Sequence, residues 1–154
     1  MRELKKKIAK AVSGSMLAFG KRESDAQYEH FSRLLEQAEL VLAERKVSVT
    51  WADEVGGGSF LIDTPVGQIF AKRLAYVDDE QIGAAVVFYC AGENGEKARD
   101  LCVLRLTSYG PWLLSGDVPV FDAHGQHVPA SAVSVLTAAI AAKLDLDHQR
   151  VMAV

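Results

Sequence analysis

Asp122, His124 and His127 form an Asp-x-His-x-x-His run, and imidazole with carboxylate suits Zn²⁺ or a similar ion. A hairpin would bring the three groups together. No fourth ligand is obvious, His148 being a remote candidate, and Asp and Gly are what the turn Asp122-Ala123-His124-Gly125 requires for its own backbone. No metal is therefore assigned and no cofactor is expected. Cys90 and Cys102, the only two cysteines, lie symmetrically about Glu96, which would set them opposite each other across a hairpin. Such a pair can form a disulfide or a redox switch. Neither C-x-x-C spacing nor a neighbouring His supports catalysis, and cysteine is also an ordinary small buried hydrophobe. Both are expected to be reduced and structural.

Shorter motifs reduce to turns. Gly56-Gly57-Gly58-Ser59 lacks the Lys-Ser/Thr of a phosphate loop and runs into a strand rather than a helix. Ser115-Gly116-Asp117 has nucleophilic types without an elbow pattern. Asp78-Asp79-Glu80 lacks the ligand spacing of a calcium loop. No set of nucleophile, base and orienter can be assembled, so no catalytic residue is assigned and the chain reads as non-enzymatic.

Two groups of residues could instead bind. Arg2, Lys6, Lys7 and Lys10 fall on one side of a helical pattern, a face able to meet phosphates, anionic lipid or an acidic protein. No aromatic residue interleaves there to stack on bases, and nucleic acid is an unfavoured partner. Trp51, Tyr76, Tyr89, Tyr109 and Trp112 could line a ligand pocket between a curved sheet and a helix.

The elements that must hold these residues follow from periodicity. At 154 residues one domain, 1–154, is the default, able to bury roughly two thirds of its unfolded surface. The composition, 49% hydrophobic and 24% charged, is ordinary for a globular chain. The net charge of −3 gives no global attraction to polyanions. Sparse cysteine points to a reducing compartment, and a cytoplasmic location is expected. No apolar run reaches the ~20 residues of a membrane span. The basic N-terminus lacks the uninterrupted apolar stretch of a signal peptide, because Lys10 breaks it.

Leu4, Ile8, Ala11, Val12 and Phe19 predict a helix over 3–19 that stops at Gly20. Ser24-Asp25-Ala26-Gln27 has the form of a capping box before a second helix, 25–45, striped by Tyr28, Phe31, Leu34, Leu35, Ala38, Val41 and Leu42. The period then changes to two. Strands are expected at 47–51, 60–62, 68–77, 82–90 and 101–107, with shorter ones at 112–114 and 118–121. Val118–Phe121 and Gln126–Val128 are expected to pair around the Asp122–Gly125 turn, at a sheet edge because of Pro119. Adjacent Lys72 and Arg73 point to opposite faces, which suggests an edge strand or a strand end in water. Ile82–Cys90 is apolar on both faces and needs cover on both. A final helix, 131–144, carries no charge from Ser131 to Ala142 and is apolar nearly all round. Val133, Leu136 and Ile140 should meet the sheet, while Val135, Ala138 and Ala142 should meet another element or a second subunit.

The sum is an α+β chain: two N-terminal helices, a mostly antiparallel sheet of about five to seven strands and a buried C-terminal helix. Its expected role is a small binding or interaction protein (adaptor, inhibitor or chaperone-like), homodimeric or held to a protein partner. A small-molecule-binding domain or enzyme with a pocket under the final helix is the alternative, and nucleic-acid binding through the first helix is a third.

Overall fold

The computed structural model describes residues 14–78, 81–93, 95–107, 110–120 and 125–153. Arg2, Lys6, Lys7, Lys10, Tyr109, Asp122 and His124 lie outside them. Two helices, α1 (Gly14–Gln37) and α2 (Glu39–Glu44), lead into seven strands and a last helix, α3 (Pro129–Met152). The strands are β1 (Ser48–Trp51), β2 (Ser59–Thr64), β3 (Gly67–Asp78), β4 (Gln81–Cys90), β5 (Arg99–Leu106), β6 (Trp112–Leu114) and β7 (Val118–Val120). They form one antiparallel sheet in chain order, β1 to β7, each strand hydrogen-bonded to its neighbour in sequence. The expected α+β class is what the chain adopts, with β4 at the centre.

Among the described residues two helices precede the sheet, and they divide at Ala38 rather than at Gly20; most of the helix expected over 3–19 lies outside the described residues. The helical backbone runs through Gly20 and Ser24 without a break. Ser24 therefore caps nothing; its hydroxyl accepts a 2.9 Å hydrogen bond from Arg73. The stripe Tyr28, Phe31, Leu34, Leu35, Ala38 and Leu42 is buried and passes straight across the break. At the end of α2 the Val47 N–H donates to Leu42 O at 2.9 Å and the Lys46 N–H to Ala43 O at 3.0 Å. With Lys46 at φ 61° this is a Schellman ending, which turns the chain directly into β1.

Side chains alternate along each strand, so the sheet has two distinct faces. The inner face carries Phe60, Ile62, Ile69, Ala71, Val86, Phe88, Leu104, Leu106 and Trp112, which join the buried side of α1 and α3 in one core. The outer face carries Leu61, Phe70, Lys72, Leu74, Ala85, Val87, Tyr89, Val103, Arg105 and Leu113. Both long helices pack on the inner face.

Arg73 corrects the edge assignment of β3, which lies between β2 and β4. Its guanidinium reaches inward to α1, 2.6 Å from Asp25 and 4.9 Å from the Tyr28 ring. Lys72 lies on the outer face, its ammonium 5.2 Å from the Tyr89 ring. The expected pairing of 118–121 with 126–128 does not form. β7 pairs with β6 instead, and Ser115-Gly116-Asp117 is the turn between them. Pro119 does sit on the edge strand.

The last helix is longer at both ends than its apolar stretch. Pro129 occupies its first turn, and the Val128 N–H donates to Ser131 Oγ at 3.0 Å. The helix continues past Leu144 with Leu146 buried and with ion pairs around it: Lys143 pairs with Asp147 at 2.8 Å, and Arg150 faces Glu93 and Glu96 of the β4–β5 loop at 3.5 and 3.8 Å. By length and composition α3 alone among the described helices suits a membrane span. Here Ala132, Val133, Val135, Leu136 and Ala139 are buried in the core. Ile140 packs against that core, Ala138 and Ala142 are half-buried, and Ser134, Thr137 and Ala141 are exposed.

Candidate functional site

The outer face of the sheet is built by β2 to β6. Register places Phe70 beside Tyr89, and their rings stack at 5.5 Å with 23° between planes. Val87 is flanked by Lys72 on β3 and Val103 on β5. Ala85 is flanked by Leu74 and Arg105. Val87 and Ala85 are only 7% and 6% exposed, although both long described helices pack on the inner face. Leu74 remains 45% exposed. Tyr76 lies across the neighbouring strand, where a Cβ on Gly83 would fall 2.6 Å from its ring. Arg105 closes one margin by an ion pair to Asp117 in the β6–β7 turn.

A second feature lies at the β1 edge. A pocket of about 280 Å³ is lined by Leu35, Glu36, Glu39, Leu42, Val49 and Trp51, among others. The Trp51 ring packs on Phe60 at 4.6 Å, which fixes it as one wall.

A third is the surround of Trp112. This indole is fully buried. Its Nε1–H donates to Gln27 Oε1 at 3.0 Å, and its backbone N–H donates to His127 Nε2 at 3.0 Å. The His127 ring lies flat on the indole, 3.8 Å between centroids and 8° between planes. His127 thus holds β6 as a hydrogen-bond acceptor and a stacking partner. Among the described residues no three His, Cys, Asp or Glu side chains come together to hold a metal ion.

The five aromatic residues do not converge on one pocket. Trp51 and Trp112 lie on the inner face at β1 and β6, near opposite edges. Tyr76 and Tyr89 lie on the outer face, and Tyr109 is outside the described residues. The cysteines are likewise not cross-strand partners. Phe88 lies opposite Cys102 and Arg99 opposite Cys90. Both thiols are free, and burial pushes Cys102 up to about 11. The hairpin is not centred on Glu96: its register is offset by two from a symmetric loop, and a bulge in β5 adds one more.

Tyr28 is buried. Its hydroxyl donates to Gly57 O at 2.5 Å, pinning the glycine loop to α1. Burial raises it to about 12, outweighing the nearby Arg73 charge. It is a fastening rather than a base. Sequence reasoning passed over the β1 edge, although Val47–Trp51 beside a helix exit was there to be noticed. No protein family, curated protein or solved structure matches this chain.

Proposed function

We propose that this chain is a non-enzymatic interaction protein of the cytoplasm that works as a homodimer, its outer sheet face forming the contact between copies. The observation that carries this is the apolar outer face: Phe70, Leu74, Tyr89, Val103 and Leu113, each exposed at least in part, with no described element over them. An antiparallel sheet with one wet face ordinarily alternates apolar and polar residues. β4 does not, and an apolar patch of this kind marks an interaction site. The face carries both signs of charge, Lys72 within it beside Val87 and Asp63, Asp100 and Arg105 around it, so an identical face is not repelled. A two-fold contact needs only that one patch fit itself. Leu74→Glu places a charge on the exposed part of the patch without entering the core. In sedimentation velocity the wild type should run at twice the chain mass and the variant at the chain mass, with unchanged circular dichroism. A monomeric wild type at high concentration would end this proposal.

A further inference from the structure

The two edges of the sheet are treated differently by the sequence. β7 carries Pro119, which lacks an N–H and blunts that edge. β1 reads Ser-Val-Thr-Trp, with neither proline nor lysine, and among the described residues only β2 pairs with it. The Ala52 N–H donates to Ser59 O directly opposite, which marks that pair as hydrogen-bonded. Alternation along the ladder then turns the N–H and C=O of Val49 and Trp51 away from β2. These outward groups adjoin the pocket walled by Trp51 and Leu42.

We infer that the free edge of β1 takes an extended segment of a partner protein as an added strand, and that this segment alternates large apolar residues with lysine or arginine. Main-chain bonds to Val49 and Trp51 supply the affinity, and every second side chain enters the pocket, as in other strand additions. Charge selects the partner. Glu36 and Glu39 line the pocket, and Asp53 and Glu54 are exposed just after Trp51. Arg45 and Lys46 flank only the start of the strand. Two copies pairing antiparallel would set Arg45 and Lys46 of one copy against Asp53 and Glu54 of the other, so the two glutamates inside the pocket, not the ends of the strand, are what favour a basic segment. The inference rests on the chain being a binding protein, but not on the outer-face dimer, which Leu74→Glu removes while leaving β1 intact.

The test uses the full chain and a short labelled peptide alternating lysine with isoleucine or valine. Anisotropy should show saturable binding that weakens with salt. A glutamate-for-lysine peptide, and a peptide N-methylated at every second residue, should each bind at least about tenfold more weakly, a loss of ~1.4 kcal/mol. Val49→Pro removes an outward N–H together with part of a side chain that packs against the core, so circular dichroism should show the fold kept while binding is lost to the same degree, and Val49→Ala, which keeps the N–H, should bind more tightly than Val49→Pro. Glu36→Lys with Glu39→Lys should do likewise. Equal binding of the N-methylated or the glutamate peptide overturns the inference, as does failure of the lysine peptide to bind. If Val49→Pro instead halves the sedimenting mass, the edge belongs to a second copy and the inference is wrong.

Discussion

Burial holds the Cys102 thiol at about 11, and the thiolate is the attacking form. Iodoacetamide at about pH 8 should therefore modify Cys102 roughly a hundredfold more slowly than an exposed cysteine, with the rate rising about tenfold per pH unit. Cys90, 2% exposed, should react only on unfolding. Mass spectrometry of the modified chain reads both. Tyr28 gives a second expectation. The folded phenol keeps its proton to about 12, against 10.0 when unperturbed. Above about pH 10 the unfolded chain sheds a proton that the fold retains, so stability present below that pH is lost progressively toward 12. Tyr28→Phe loses the bond to Gly57 and should cost ~1 kcal/mol at neutral pH. It should decline less between pH 10 and 12, so urea unfolding curves of the two proteins should draw together there. That cysteine would be structural was legible from its company of apolar residues. That Arg73 would serve α1 was not, because Asp25 is 48 positions away in sequence and adjacency to Lys72 says only that the two face opposite ways.

Among the elements, α3 tests how far an uncharged stretch predicts burial. Leu136 and Val135 are fully buried while Thr137 is exposed, so small uncharged residues on that helix include a wet side. Leu136→Ala should cost about 2–5 kcal/mol. Thr137→Glu should cost little, within about 0.5 kcal/mol, as measured by chemical denaturation. A large loss from Thr137→Glu without a change in mass would mean that this side is core after all. The strands were largely legible because period two shows in β1 and a continuous β-branched and aromatic run marks β4, with turn residues between the rest. Helix ends were less so. Ser24–Gln27 has the residues of a cap but sits where the upstream chain is already helical. The last turns of α3 are held by Lys143, Asp147 and Arg150, ion pairs that carry no apolar period. In the β4–β5 loop, a side chain on Gly92 would collide with the Glu96 carbonyl, a requirement visible only once the loop is closed.

For the whole molecule, the proposed dimerisation through the outer face would tie stability to concentration. The wild-type melting temperature should rise as protein concentration rises, whereas that of Leu74→Glu should stay fixed, since association stabilises only the folded chain. Calorimetry over a concentration series separates the two. The apolar character of both faces of β4 announced the need for two covers, but a single chain cannot state what the second cover is. The order of the strands has a consequence for how the protein is made. Every strand of the sheet bonds to the one synthesised just before it, so pairing can advance with translation and needs no distant segment. The inner face differs, for α3 follows all seven strands and supplies Val135, Leu136 and Ala139 to the core. Until those residues leave the ribosome, Leu104, Leu106 and Trp112 stand on a nascent sheet with half of their roof missing. The interval before α3 docks is thus when this chain is most exposed to aggregation, and slowing synthesis just ahead of Pro129 would lengthen it.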